Sequence, residues 1–260
     1  MEFEFKERYD INDLIEIMRI LRSEEGCPWD KVQTHSSIRM DMIEECYEAC
    51  EAIDEQDSAH LREELGDVLL QVVFHAQIEA EQGNFDFSDT VNDVAQKLVY
   101  RHPHVFGDVK ADTVGEALSS WNDMKQKSHG QETYTDTLKG VSRAFPALMR
   151  AQKVGKRAKR AGMDLPDAEA ALKALESEIE EFRSADAEHE AEELGDMLFS
   201  AVNVVRLRGY DAEELLTRAT EKFIRRFEKT EELLRCEGRS MCDLDIDTLD
   251  TYWQRAKNEV

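Results

Sequence analysis

The sequence predicts an all-α protein made of two tandem, related helical bundles. Only 4 prolines and 12 glycines occur in 260 residues, which leaves little for the turns of a β-protein. Apolar residues recur at helical spacing in runs rich in Ala, Glu, Lys, Leu and Arg, and no convincing strand pattern is seen. An eight-residue motif also occurs twice: residues 60–67 (HLREELGD) and 189–196 (HEAEELGD) match at six of eight positions, 129 residues apart. Each copy runs into an apolar stretch, so the repeat indicates two related units.

The first half of the chain carries five predicted helices, each with a start or stop signal. Gly83 follows the third as a helix-ending glycine, and Ser88 is placed to cap the fourth. The five are a helix from Ile11 to about Gly26, one from about Ser37, one from Ser58 to Glu81, one from Ser88 to the break at Pro103, and one from Thr113 to Lys127.

The second half repeats this order after a polar, weakly periodic stretch. Helices are predicted from Pro146 to Lys159, from Asp167 to about Ser184, from Ala187 to Arg208, from Asp211 to about Arg235, and around Trp253. We therefore predict an N-terminal domain over 1–127, a linker over 128–145 and a C-terminal domain over 146–260.

The charge of the chain restricts its partners. A net charge of -24 and a pI near 4.7 argue against sequence-independent binding of nucleic acid and against anionic membranes. A phosphate substrate remains compatible, because a metal ion and a few basic side chains could hold it.

Five cysteines without a CxxC pair fit a reducing compartment. We expect Cys46 and Cys50 to be small buried apolar residues. The acidic start of the chain and the absence of an apolar run of membrane length predict a cytoplasmic protein.

The motif and the helix before it concentrate carboxylates in each half. Residues three apart share a helix face, so two such helices packed together would gather four acids. The pairs are Glu45 with Glu48 and Glu64 with Asp67 in the first half, and Glu178 with Glu181 and Glu193 with Asp196 in the second. Without a bound cation, each close pair of ionised acids would repel with an energy on the order of 4 kcal/mol at an intermediate dielectric. Oxygen-only ligands favour Mg²⁺, with Mn²⁺ as the alternative.

Two other interpretations of the acids are less favoured. Acidic helix faces usually point to water, but this pattern recurs, and each copy places a glycine (Gly66, Gly195) inside a helix, at a cost of about 1 kcal/mol against alanine. A glycine there suggests the close approach of a helix or a ligand. A di-iron bundle needs Glu-x-x-His, whereas Asp67 and Asp196 follow the motif glutamates.

Basic and aromatic residues near the second motif could hold a phosphorylated substrate. Lys222, Arg225 and Arg226 share a face of the following helix, and Trp253 could stack on a base. A metal ion would make hydroxide available near neutral pH. Either Glu192 or Glu193 could accept the proton from that water.

Several motifs together resemble the all-α nucleoside triphosphate pyrophosphohydrolases, in their tandem-domain form, over essentially the whole chain. They are Glu-Glu-x-x-Glu at 44–48, Glu-x-x-Asp at 64–67 and 193–196, and the segments 26–30 (GCPWD), 101–106 (RHPHVF) and 146–153 (PALMRAQK). The resemblance implies Mg²⁺-dependent cleavage between the α and β phosphates of a nucleoside triphosphate, giving the monophosphate and pyrophosphate. It also implies a homodimer of intertwined bundles that is active in its C-terminal half.

The resemblance also implies roles for individual residues. The metal ligands would be Glu178, Glu181, Glu193 and Asp196, and the nucleotide contacts would be Lys222, Arg225, Arg226 and Trp253, with His189 and Glu192 lining the nucleotide. A second set, Glu45, Glu48, Glu64 and Asp67, would form the N-terminal site.

The chain departs from the family pattern at several positions. Ser177 stands where the second signature would have a glutamate, and Met163 and Leu165 stand where Phe and Trp are typical. In the first half, Tyr100 replaces one of the paired arginines and Pro103 interrupts the helix. We therefore expect the N-terminal site to bind metal but to handle triphosphate poorly.

Two alternative functions stay open at this point. One is a non-catalytic, dimeric helical regulator that acts by binding a protein partner. The other is a deoxyuridine di- or triphosphate hydrolase, which would share the metal motif.

Overall fold

A computed structural model describes residues 3–128 and 133–260 of the chain. These residues form helices and loops without a β-strand, which confirms the all-α prediction. The chain divides into two compact units, Met1–Lys125 and Gln126–Val260. The domain boundaries at 127 and 146 stay predictions, and residues 129–132 of the predicted linker lie outside the described residues.

The helices of the first half are α1 (Ile11–Leu21), α2 (Arg39–Glu55), α3 (Ser58–Gln82), α4 (Phe87–Arg101), α5 (Pro103–Phe106) and α6 (Val114–Ser128). Aspartates begin three of them, because the Asp10, Asp57 and Asp86 side chains accept hydrogen bonds from first-turn backbone N–H groups. The core of this unit consists of five buried side chains: Met18, Ile38, Val73, Phe74 and Ile78. It therefore lies against the C-terminal half of α3 and leaves the acidic N-terminal half beyond it.

Helix α1 ends earlier than its sequence pattern predicts, at Leu21 rather than near Gly26. The chain folds back over the helix end, where the N–H of Cys27 donates to the Leu21 carbonyl at 2.7 Å. A Cβ on Gly26 would lie 2.3 Å from the carbonyl oxygens of Ile20 and Leu21, so only glycine fits. The Arg22 side chain holds the following loop against the end of α1 by donating hydrogen bonds to the backbone carbonyls of Asp30 and Gln33.

The helices of the second half are α7 (Tyr134–Lys139), α8 (Ala147–Arg160), α9 (Ala168–Ser184), α10 (Glu190–Leu207), α11 (Ala212–Cys236) and α12 (Ile246–Lys257). The short helix α7 lies within the predicted linker. Within this unit α9 packs along α10, α8 crosses α10, and α12 packs on α11.

The two pairs of acid-bearing helices have connections of different length. Only Gln56 and Asp57 join α2 to α3, and Gln56 adopts the left-handed conformation (φ 58°). Five residues, 185–189, join α9 to α10. Both pairs are antiparallel hairpins, so the acids of each hairpin face one another near its closed end.

Apolar residues are exposed along several helices, among them α4 and α11. On α4 they are Val91, Val94, Leu98, Val99 and Tyr100, and on α11 they are Leu215, Leu216, Phe223, Ile224 and Phe227.

Cys46 and Cys50 are also exposed, so the expectation that they are buried is wrong. Their side of α2, which includes Ile43 and Tyr47, has no covering element among the described residues. No helix of the described ranges is both long enough and apolar enough to cross a membrane.

Candidate metal centres

Three carboxylates converge between α9 and α10. One ligand oxygen each of Glu178, Glu193 and Asp196 lies within 4.8 Å of the other two. Glu178 and Glu193 are half-buried and Asp196 is exposed. The arrangement follows from helix geometry, because Glu193 and Asp196 are one turn apart on α10 and face α9.

The electrostatics of this cluster favour a cation. Partial burial raises the pKa of Glu193, and the negative charges of Glu181, Asp196, Glu178 and Glu192 raise that pKa further. Carboxylates that repel one another in this way are stabilised by a positive ion placed between them. A divalent cation bound between these carboxylates would therefore offset their mutual repulsion.

Glu181 lies beside this group but outside the set of three converging oxygens. Its Oε1 accepts a hydrogen bond from the Ser177 hydroxyl at 3.1 Å, so the carboxylate is turned along its own helix. Ser200, which sequence reasoning missed, donates to Glu178 Oε1 at 3.4 Å. The signal for it was its position four residues after Asp196, on the same face of α10.

The N-terminal unit contains a second acidic cluster between α2 and α3. Oxygens of Glu45, Glu48 and Glu64 lie within 4.8 Å of one another. Burial raises the pKa of Glu45, and the charges of Asp67, Glu48, Glu64 and Glu44 raise it further. Asp67 is thus close enough to raise the pKa of Glu45, although its oxygens lie outside the converging set.

Glu64 supplies a direct test of whether a cation fits. The residue is 7% exposed, and its Oε2 is buried without a hydrogen-bond partner. Its other oxygen, Oε1, lies 3.1 Å from His60 Nε2. A buried carboxylate oxygen without a partner is costly, and a cation held by the neighbouring glutamates would satisfy it. The donor set consists of oxygens, the ligands that hard divalent cations prefer.

The equivalent histidines of the two halves make different contacts. His60 contacts Glu64, as described above. His189 directly precedes α10, and its Nδ1 lies 2.7 Å from Asp186 Oδ1. Glu192 is exposed in the first turn of α10, immediately before Glu193. His189 and Glu192 therefore lie where the connecting loop meets α10, and within the described ranges no side-chain hydrogen bond or ion pair joins them to the three converging acids.

The predicted nucleotide contacts lie on α11 and α12. Lys222 and Arg225 are exposed, whereas Arg226 is half-buried and its Nε has no hydrogen-bond partner. Trp253 packs against Phe223 with ring centroids 5.0 Å apart. Within the described ranges, no hydrogen bond or ion pair connects these four residues to the acids of the C-terminal cluster.

Comparison with known proteins shows two copies of one domain. The MazG nucleotide pyrophosphohydrolase domain matches residues 33–106 and 167–230, which contain the two acidic clusters. The chain is 44% identical to the nucleoside triphosphate pyrophosphohydrolase/pyrophosphatase MazG of Thermotoga maritima over 246 residues, or 94% of each chain. It is 41% identical to the nucleoside triphosphate pyrophosphohydrolase of Escherichia coli K12, over 96% of this chain and 97% of that one.

A third relative is the uncharacterized protein YabN of Bacillus subtilis, which is 42% identical over 93% of this chain and 50% of its own length. The resemblance seen in the sequence motifs is thereby confirmed. The chain belongs to the MazG nucleotide pyrophosphohydrolase family and carries the domain of that family twice.

Proposed function

We propose that this protein hydrolyses nucleoside triphosphates to the monophosphate and pyrophosphate, and that the C-terminal unit is the main catalytic one. The observation that carries the proposal is the convergence of Glu178, Glu193 and Asp196 oxygens within 4.8 Å. The Thermotoga and Escherichia relatives, similar over nearly their whole length, are named for this reaction. In the cell the reaction would control nucleotide pools.

The cofactor we propose is Mg²⁺, with Mn²⁺ as an alternative. Glu178, Glu193 and Asp196 would hold it, and a rotation of the Glu181 side chain away from Ser177 would add a fourth carboxylate. When bound, such an ion polarises phosphate oxygens and lowers the pKa of a coordinated water. Glu45, Glu48, Glu64 and Asp67 would form the equivalent N-terminal site.

Glu192 is the better candidate for the proton acceptor in the hydrolysis. Its carboxylate is exposed and makes no hydrogen bond or ion pair among the described residues, so it is available to water. Glu193 is the alternative, but its oxygen belongs to the converging set. A carboxylate that accepts a proton from the attacking water contributes roughly 10²–10⁴-fold to such reactions.

The substrate would be held by basic side chains of α11. Lys222, Arg225 and Arg226 share one face of α11, and their charged groups are donors suited to phosphate oxygens. Trp253 and His189 would line the base and the phosphates.

The functional molecule we propose is a homodimer in the cytoplasm. The exposed apolar residues of α4 and α11 form faces that a second copy would cover, as is typical of obligate helical dimers. All five cysteines are free, which suits a reducing compartment. The net charge of -24 disfavours nucleic acid and anionic membranes as partners, and a regulatory protein partner is a further proposal.

Two isosteric variants test the reaction and assign it to one unit. Glu193→Gln and its N-terminal counterpart Glu64→Gln each remove one negative charge without changing side-chain volume. With a panel of triphosphates and Mg²⁺, we expect Glu193→Gln to slow pyrophosphate release roughly 10²-fold or more. Glu64→Gln should slow it less than about threefold.

Equal losses in the two variants would contradict the assignment to the C-terminal unit. An excess of EDTA should stop the reaction in the wild-type chain. A chain that releases no pyrophosphate from any triphosphate would instead favour the regulator that acts by protein binding. Hydrolysis confined to deoxyuridine di- and triphosphate would favour the third hypothesis.

A further inference from the structure

The N-terminal unit contains a second polar cluster that the acidic site does not use. His35, in the loop before α2, and His75, on α3, bring their Nδ1 atoms to 2.7 Å from each other. The two rings are nearly parallel, with an interplanar angle of 11° and centroids 5.0 Å apart. The two Nδ1 atoms therefore face each other at hydrogen-bond distance.

Carboxylate and amide groups orient the first of these rings. The Nε2 of His35 lies 2.6 Å from Glu79 Oε1, and Asn84 donates to Glu79 Oε2 at 2.7 Å. An acidic acceptor at Nε2 keeps the proton on that nitrogen and leaves the lone pair of His35 on Nδ1. A histidine whose other N–H is held by a carboxylate is the usual arrangement of a metal-binding imidazole.

We propose that His35 and His75 form a site for a borderline transition-metal ion such as Ni²⁺ or Zn²⁺, with Glu79 as the group that positions His35. Two nitrogens about 2.0–2.1 Å from a shared ion lie roughly 3.0–3.4 Å apart. To hold an ion, the observed pair would have to give up its hydrogen bond and open by a few tenths of an ångström, and each ring would have to turn until its lone pair points at the ion. Imidazole nitrogens suit these ions, whereas Mg²⁺ prefers oxygen.

The site is separate from the acidic cluster on the same helix. His75 follows Asp67 by eight residues, which corresponds to about 12 Å along α3. Between them, one turn before His75, lies Gln71, which is 7% exposed and whose Oε1 is buried without a donor. When the ion occupies Nδ1, His75 carries its proton on Nε2, and the amide oxygen of Gln71 is an acceptor on the same face of α3.

The C-terminal unit lacks this site. At the offset of 129 residues that relates the two motifs, Val204 stands in place of His75 and Arg208 in place of Glu79. Neither can bind a cation, so the site distinguishes the N-terminal unit from its copy. We expect one such ion per chain.

Calorimetric titration of the full-length chain with NiCl₂, in an excess of MgCl₂ that fills the oxygen-only sites, tests the proposal. We expect one saturable Ni²⁺ per chain. His35→Gln and His75→Gln should each abolish that binding, and Glu79→Gln should weaken it by about tenfold. His60→Gln is the matched control, because His60 lies on the same helix beside the acidic cluster, and it should leave Ni²⁺ binding unchanged.

Three results would overturn the proposal. They are the absence of saturable Ni²⁺ binding in the wild-type chain, unchanged binding in both His35→Gln and His75→Gln, and loss of binding in His60→Gln. Conversion of the five cysteines to serine should leave the binding in place, and its loss there would also assign the ion elsewhere.

Folding is checked by thermal unfolding of each variant. The His35 side chain is 41% exposed, so His35→Gln should unfold close to the wild-type temperature in the absence of Ni²⁺. Ni²⁺ should raise the unfolding temperature of the wild-type chain and leave that of His35→Gln unchanged. Pyrophosphate release with Mg²⁺ should be equal in both proteins, so the result is independent of the proposed hydrolysis.

Discussion

Gly195→Ala should stabilise the protein and impair its hydrolytic activity. Gly195 lies inside α10, and a Cβ built on it meets no atom of the chain within 4 Å. Alanine is favoured over glycine in a helix interior by about 0.8–1.0 kcal/mol, and no steric cost opposes that gain. For a unit of this size we expect the unfolding temperature to rise by roughly 3–5 °C.

The activity of this variant should fall because Gly195 shares its helix face with Glu192. The methyl group would occupy open space beside the proposed proton acceptor, where the nucleotide or a second copy has to approach. We expect pyrophosphate release to fall about tenfold or more, a loss typical of misplaced substrate. Thermal unfolding and steady-state kinetics on the same preparation measure both effects.

Gly66→Ala is the matched control, since Gly66 holds the equivalent position in α3 and its Cβ also meets nothing within 4 Å. It should give the same gain in stability with little loss of activity. A lower unfolding temperature for Gly195→Ala, or equal losses of activity in the two variants, would refute the reasoning.

Three further predictions concern packing and charge. Asp164→Asn should lower the free energy of unfolding by about 2–4 kcal/mol, because the Arg206 guanidinium, 5% exposed, would lose its ion pair. The hydrogen bond from Arg206 lowers the pKa of Asp164 in the folded protein. The stability that this ion pair contributes is therefore present above the unfolded pKa near 4 and is lost as the pH falls through the lower folded pKa. In urea unfolding, the wild-type chain and Asp164→Asn should become equally stable in acid. Gly155→Ala should destabilise by about 1–3 kcal/mol in urea, because its Cβ would lie 2.9 Å from Arg206 Nε; a more stable variant would contradict this. Removal of Mg²⁺ should lower the unfolding temperature, by the equivalent of about 2.7 kcal/mol per occupied site relative to a concentration one hundred times the Kd. The double variant Glu64→Gln with Glu193→Gln should show no such difference by calorimetry.

The acidic clusters could be predicted from the sequence because their geometry is local. A spacing of three fixes Glu193 and Asp196 on one face whatever surrounds the helix, and the repeat pairs that face with a second acidic helix. The same spacing predicted Glu178 and Glu181 as a pair. Only Glu178 joins the converging set, and the Glu181 carboxylate instead accepts a hydrogen bond from Ser177, which no spacing rule describes.

Features that join distant parts of the chain could not be predicted in this way. His35 and His75 are 40 residues apart, and His35 lies in a loop without periodicity. The available signal was partial: His60, Glu64, Gln71, His75 and Glu79 continue one polar line along α3 at steps of about one or two turns. The exposure of Cys46 and Cys50 was missed for a related reason, since a stripe at helical spacing indicates a covered face but not which chain covers it.

The extent of α1 shows how a single side chain decides a helix end. Its apolar pattern ends at Leu21, and Gly26 is the first helix-ending residue after it, so the sequence predicts an end near Gly26. The Arg22 guanidinium instead donates to backbone carbonyls of the following loop and pairs with Glu81 on α3. Tertiary bonds of this kind outweigh intrinsic propensity.

The unequal connections within the two hairpins give the duplicated sites different tolerance to insertions. With only Gln56 and Asp57 between α2 and α3, an added residue would have to be absorbed by the helices themselves, and each residue absorbed turns a helix by about 100°. The acids of α3 would then no longer point at those of α2. The five-residue loop 185–189 can accept added residues, since doubling the length of a loop costs only about 0.6 kcal/mol of closure free energy. Natural or engineered changes of length can therefore reshape the mouth of the C-terminal site while its N-terminal copy keeps a fixed register.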